Sequence, residues 1–176
     1  MATQRPTIRA TKRYGWIPDL PDARDHLFAA PPEVLAKLPA SVDLVPKCPP
    51  VYDQGELGSC TGNAIAAAIQ FDRIRQDQPL GRELVPSRLF IYYNERVIEG
   101  TVDQDAGAMI RDGMKSVAKQ GAPHERLWPY VISKFRTKPS PASYEDAAKH
   151  PAVLYQRLVQ HTSHSAVRRS PSCGLA

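Results

Sequence analysis

A thiol and a carboxamide stand close together in Gln54-Gly55-Glu56-Leu57-Gly58-Ser59-Cys60, with two glycines between them. These are parts of a covalent acyl-transfer site. A thiolate attacks a carbonyl carbon, and a preorganised N–H donor stabilises the oxygen that gains charge. The first turn of a helix favours the thiolate, because its N–H groups are unpaired and its dipole end is positive. Cys60 stands where such a turn should begin, after the glycine turn and before an apolar stretch rich in alanine. Gln54 and the backbone N–H of the nucleophile are the candidate oxyanion donors. Gly55 and Gly58 let the loop bend close to a bound peptide.

Other chemistries find less support. Cys48, Cys60 and Cys173 are widely spaced and form no Cys-x-x-Cys pair. Neither a zinc site nor a disulfide framework is expected, and a reduced, cytoplasmic setting is. Asp103-Gln104-Asp105 lacks the glycine and terminal glutamate of a calcium loop, since Met114 holds the twelfth position. It reads as a solvated turn, so no metal and no cofactor is expected. The net charge is +5, and its excess sits mainly in Arg5, Arg9, Lys12, Arg13, Arg168 and Arg169. Without aromatic interleaving, these read as solvated ends rather than a nucleic-acid surface. No window approaches the ~18 apolar residues of a membrane-spanning helix. Met1 to Tyr14 has no apolar segment of a secretory signal.

The elements that must position Cys60 follow from periodicity. The 176 residues and 42% hydrophobic content suit a soluble globular domain. Residues 1–13 read as a disordered basic tail, 14–160 as the domain, and 161–176 as a second disordered tail. Tyr14 to Asp22 is an extended, proline-containing lead-in. Its Trp16, Ile17 and Leu20, with Leu27, should lie on the body of the domain. Pro31 to Leu38 predicts a short helix, and Ser41 to Val45 an extended segment. The helix from Cys60 to Arg75 is apolar or small almost all round in its first half, as in a helix buried at a domain centre. Ser87 caps the next helix. Leu89, Phe90, Tyr93, Val97 and Ile98 form its buried stripe, and Gly100 ends it. The aromatics Phe90, Tyr92 and Tyr93 read as core. A third helix spans 106–119 and ends at Gly121. Ser143 caps a short helix that Pro151 stops. Val153 to Val159 could begin a strand.

The run Pro50-Val51-Tyr52-Asp53-Gln54-Gly55-Glu56-Leu57-Gly58-Ser59-Cys60 resembles the nucleophile region of the papain-like cysteine peptidases, Pro-Val-x-Asp-Gln-Gly-x-Cys-Gly-Ser-Cys-Trp. Gly121-Ala122-Pro123-His124-Glu125-Arg126-Leu127-Trp128-Pro129-Tyr130 resembles a second family block, a Gly, six intervening residues and then Tyr-Pro-Tyr. Asp105-Ala106-Gly107-Ala108 occupies the place of the family's Cys-Asn-Gly-Gly, whose backbone pairs with substrate. Tyr14 to Phe28 resembles the lead-in of bacterial members. The resemblance implies an α+β family fold, of which this chain encodes mainly the α-helical lobe. It implies a thiol peptidase acting on peptides or proteins. Cys60 would be the nucleophile and Gln54 the oxyanion amide. Gly58, Ser59, Gly107 and Ala108 would line the substrate.

Some positions depart from the family. Leu57 and Asp105 stand where secreted members carry disulfide cysteines, which agrees with a reducing compartment. Thr61 replaces the tryptophan after the nucleophile. Family members take their general base His, and the Asn that orients it, from a later β-rich lobe. His161 and His164 fall too early for that lobe, although His164-Ser165-Ala166-Val167 faintly resembles its Gly-His-Ala-Val strand. His26, His124 and His150 read as surface or cap residues. An incomplete or truncated peptidase domain with little activity of its own is therefore expected. The alternative is a non-catalytic papain-like module that binds peptides or proteins through a half-cleft. An uncovered lobe face predicts self-association.

Overall fold

The computed structural model describes residues 14–76, 84–152 and 154–158. In chain order these form β1 (Trp16–Ile17), α1 (Pro32–Leu35), α2 (Cys60–Arg75), α3 (Arg88–Glu99), β2 (Ala108–Met109), α4 (Ile110–Gln120) and α5 (Pro141–Ala147). The expected tails, 1–13 and 161–176, lie outside the described residues.

Helix α2 runs through the centre because its small residues allow close neighbours. A Cβ on Gly62 would meet the Arg88 carbonyl oxygen at 2.8 Å, so α3 crosses against bare backbone there. A Cβ on Gly113 of α4 would meet Ile65 Cδ1 at 2.3 Å and Glu95 Oε1 at 2.2 Å. Helices α2, α3 and α4 thus pack mutually, as expected for a central helix with others laid on it. One core gathers Leu57, Leu89, Phe90, Tyr92, Ala108, Trp128 and Ala147. The other gathers Ile65, Ala66, Ile91, Val117 and Ala122. The first reaches α5 through Tyr144, whose ring centroid lies 4.8 Å from that of Phe90.

Several boundaries differ from the sequence expectation. Helix α3 begins as expected, with the Ser87 hydroxyl accepting the Phe90 N–H at 3.2 Å, and ends at left-handed Gly100. Its buried face is wider and more polar than the predicted stripe. Val97 and Ile98 are half exposed, while Ile91, Tyr92, Asn94, Glu95 and Arg96 are buried. Helix α4 starts at Ile110 rather than 106. Gly107 takes φ +79°, and Ala108–Met109 pairs in parallel with Trp16–Ile17 instead of coiling. Helix α5 starts at Pro141 with Ser140 as its cap, which leaves Ser143 buried inside it. The predicted first helix shrinks to α1, and a short 3-10 turn at Val45–Lys47 follows the expected extended segment.

The lead-in is extended, but it docks by its backbone. Trp16, Leu20 and Leu27 remain more than half exposed, and only Ile17 is partly buried. In place of the strand expected after residue 153, the described residues show one bridge, between Leu27 and Arg157. Among the described residues, no helix is long and apolar enough to cross a membrane.

Candidate active-site cleft

Cys60 is the first residue of α2 and is half-buried. The backbone N–H groups of Gly15, Thr61 and Cys60 face its sulfur and favour the thiolate. Burial is the larger effect and, with the nearby Glu95 carboxyl, pushes the thiol above its ordinary pKa. The helix start alone therefore does not ionise Cys60, contrary to the simple dipole expectation. At neutral pH it is held as the neutral thiol. Gln54 is buried, and its Nε2 donates to the Leu57 carbonyl oxygen at 3.0 Å. That bond takes one of the two amide hydrogens and fixes the carboxamide inside the loop.

The loop rests on a buried polar network. Ser59 is fully buried and its hydroxyl pairs with the Tyr130 hydroxyl. Tyr130 in turn donates to the Gln54 carbonyl oxygen at 2.9 Å. Asn63 donates through Nδ2 to the Ser59 carbonyl oxygen at 2.9 Å and to Ser59 Oγ at 3.0 Å. Beneath them, the Arg88 guanidinium forks onto Glu125 at 2.8 and 2.6 Å. Its Nη1 donates to the Asp53 carbonyl oxygen at 3.1 Å and to Asn63 Oδ1 at 3.2 Å. The same guanidinium lies 4.9 Å from the Tyr52 ring centroid and 4.1 Å from that of Tyr130. Ser59, expected to line substrate, thus turns its side chain inward and offers the cleft only backbone.

The second wall is the segment around Gly107 and Ala108. The Asp105 carboxylate accepts the Gly58 N–H, with both oxygens at 3.0 Å, and the Tyr92 hydroxyl at 2.6 Å. The Gly107 N–H donates to the same Tyr92 hydroxyl at 3.2 Å. Between the walls runs the lead-in. Ala108 N–H donates to the Gly15 carbonyl oxygen at 2.7 Å. A Cβ on Gly15 would sit 1.7 Å from the Gly58 carbonyl oxygen, and one on Gly107 would sit 2.0 Å from the Gly15 carbonyl oxygen. Three glycines therefore let three backbones meet at the thiol. Farther along, the Arg111 N–H donates to Asp19 Oδ1 at 3.0 Å, and its guanidinium forks onto Asp25 at 2.9 and 2.7 Å. Arg157 reaches the same Asp25 carboxylate at 2.6 Å.

Among the described residues, the groups acting on the Cys60 thiol are backbone N–H groups and Glu95, and none is a histidine. His124 and His150 neighbour Asp146 and Arg73, and burial lowers the pKa of both. His161 and His164 lie outside the described residues. Among the described residues, no three His, Cys, Asp or Glu side chains gather as a metal site. Sequence reasoning did not single out Arg88, Tyr92 or Glu95 as parts of this region. Tyr130 was signalled by its Trp-Pro-Tyr block, without its role under Gln54.

A cysteine heading a buried helix, an amide in the preceding loop and a facing glycine-containing wall define the helical lobe of the papain-like cysteine peptidase fold. The chain carries that lobe and is related to that family. It is 45% identical to xylellain, a cysteine protease from Xylella fastidiosa, with a TM-score of 0.78 over 92% of this chain and 63% of that one. It is 39% identical over 168 residues to an uncharacterized peptidase C1-like protein of Acanthamoeba polyphaga mimivirus, covering 86% of this chain and 53% of that protein. The chain thus spans about half the length of this curated relative. No family model matches it.

Proposed function

We propose that this chain supplies the nucleophile and oxyanion wall of a thiol peptidase. In this reading, Cys60 Sγ, as thiolate, bonds to the carbonyl carbon of a peptide. The Cys60 N–H and the Gln54 amide stabilise the resulting oxyanion. The C–N bond breaks as a general acid protonates the leaving amine, and water then cleaves the thioester. The acid and base group is a histidine carried outside the described residues, on the β-rich lobe that the resemblance implies. Without it the thiol stays protonated, so peptide hydrolysis by this chain alone is slow. The exposed apolar side chains of Phe28, Leu35, Leu38, Val42 and Val51 provide surface for such a lobe or for self-association.

The observation that carries the reading is the lead-in. An extended backbone already lies across the Cys60 thiol and pairs with Ala108, as a peptide substrate would. The same observation favours the second reading, a peptide-binding module that does no chemistry. Labelling by a peptidyl epoxide at neutral pH separates the two. Alkylation of Cys60 far faster than Cys48 and Cys173 supports the peptidase reading. Equal, slow labelling of all three, together with measurable binding of an extended peptide, supports the module.

A further inference from the structure

We propose that Asp105 is a positioning residue that holds the two walls of the cleft at the spacing an extended peptide needs. Its carboxylate bridges groups 47 residues apart in sequence, from Gly58 on the nucleophile loop to the start of the second wall. Both of its oxygens face the Gly58 N–H at 3.0 Å, and Oδ1 accepts a hydrogen bond from the Tyr92 hydroxyl at 2.6 Å. That hydroxyl, having donated its only hydrogen to Asp105, is left as acceptor for the Gly107 N–H at 3.2 Å. The chain of bonds therefore runs from one wall to the other through one carboxylate and one phenol. Tyr92 cannot swing away, since its side chain is fully buried. The Arg96 guanidinium lies over its ring at 4.2 Å. Nη1 of that guanidinium ties down the loop before Asp105 through the carbonyl oxygens of Val102 at 2.7 Å and Gln104 at 3.0 Å.

The position explains the chemistry chosen. Gly58 precedes Cys60 by two residues, and Gly107 precedes the Ala108 N–H that pairs with an extended chain. A fixed spacing between them sets how a peptide backbone lies over the thiol. Relatives that the resemblance describes as disulfide-linked place cysteines at positions 57 and 105. Here a charge-assisted hydrogen bond joins the same two segments, and such a bond is indifferent to reductant. The inference concerns the cleft's geometry and stands or falls apart from catalysis.

Amide hydrogen exchange on the full chain tests it, with the lead-in as the built-in extended peptide. In Asp105→Ala, the Gly58, Gly107 and Ala108 amides should exchange at least about tenfold faster. The Gly121 amide, bonded to the Val117 carbonyl oxygen at 2.8 Å, should not change. Asp105→Asn, which keeps the shape and one acceptor, should fall between. In Leu57→Cys/Asp105→Cys, formation of the disulfide, verified by mass, should return Ala108 to within about threefold of the parent chain, and reductant should remove that protection. A purely local loop cap would quicken Gly58 alone. Unchanged Ala108 exchange in Asp105→Ala, or an oxidised double variant as open as its reduced form, would overturn the proposal. Failure of the peptidase reading shows instead in Cys60 labelling, which this experiment does not use.

Discussion

The nucleophile loop and the lead-in meet at one sulfur atom but are held by different physics. Residues 53–60 hang on largely buried side chains: Asn63, Tyr130 and Arg88 donate to the loop's own carbonyls, the Ser59 hydroxyl pairs with Tyr130, and Arg88 lies against two aromatic rings. Removing any member leaves another buried polar group without a partner, which is expensive. The lead-in is held by a two-residue strand pair and by one ion cluster, in which Asp25 pairs with a largely covered Arg111 and a half-exposed Arg157. Water can replace the Arg157 bond more readily than the Arg111 fork. One side of the cleft is therefore a fixed wall. The other side is a strap that lies where the proposed peptide would.

The largest break in this contrast should come from Arg88→Ala. It strips Glu125 and Asn63 of a donor and two aromatic rings of their cation, in a pair whose side chains are mostly buried. We expect a loss of roughly 3–4 kcal/mol in denaturant unfolding. Arg88→Lys keeps the charge but not the fork, and should recover less than half of that. A loss below about 1 kcal/mol would mean that the loop does not depend on this network.

A second prediction sharpens the fixed side. Glu95 is wholly buried beneath Thr61, whose hydroxyl donates to its Oε2 at 2.7 Å. Oε1 has no hydrogen-bond partner among the described residues. Burial, with Glu99 and Asp112 nearby and Thr61 and Arg96 opposing, pushes its carboxyl up to about 8. A carboxyl raised on folding gives its stability below the unfolded pKa and loses it as pH rises through the folded one. Stability should thus decline between about pH 4.5 and 8. Glu95→Gln mimics the neutral acid, so it should flatten that decline by at least about 2 kcal/mol at pH 8. Parallel pH–stability curves for the two chains would show that Glu95 is ionised in the fold.

The strap side should respond without global unfolding. In Gly15→Val, the new Cβ cannot coexist with the Gly58 carbonyl oxygen, so the lead-in must lift from the thiol. Two opposed effects on Cys60 follow. Losing the Gly15 N–H disfavours the thiolate, while losing burial favours it, and burial is the larger of the two. Iodoacetamide should therefore label Cys60 roughly tenfold faster, with its pH midpoint moved down, and the melting temperature should hold within a few degrees. Slower labelling would show that the lead-in activates the thiol rather than covering it.

The same contrast governs what could be read from sequence. The nucleophile loop was legible because its chemistry lies in consecutive residues: Gln54, the glycine turn and Cys60 opening a helix. The helical packing was legible from Ala64 to Ile69 and from the Ser87 cap. What escaped depends on partners far along the chain. Helix α4 was expected to start at 106 because its periodicity extends back that far, yet residues 16 and 17 draw Ala108 and Met109 into a strand. Glu95 and Arg96 look solvent-facing among the charged residues of α3. They are buried because Thr61, Gln104 and Phe135 offer them hydrogen bonds from elsewhere. Asp105 read as a solvated turn residue, since nothing local announces its bond to Gly58.

The smallest predicted effect tests how loosely the strap is tied. Asp25 carries both Arg111 and Arg157, and those two guanidinium groups hold its carboxyl below the ordinary carboxylate range. A carboxyl depressed on folding gives its stability above the unfolded pKa, near 3.8, and loses it as pH falls through the folded one. Protection of the Ala108 amide, corrected for intrinsic exchange, should therefore weaken as pH falls below about 4 in the parent chain. In Asp25→Asn that weakening should be smaller, with the remainder carried by the other carboxylates that tie this region, Asp19 and Asp105. At neutral pH that variant should cost less than about threefold in Ala108 protection, because the Gly15–Ala108 backbone bond does not run through Asp25. A much larger loss would move the lead-in from strap to wall, since its docking would then rest on one cooperative ion cluster rather than on the backbone pairing at Gly15 and Ala108.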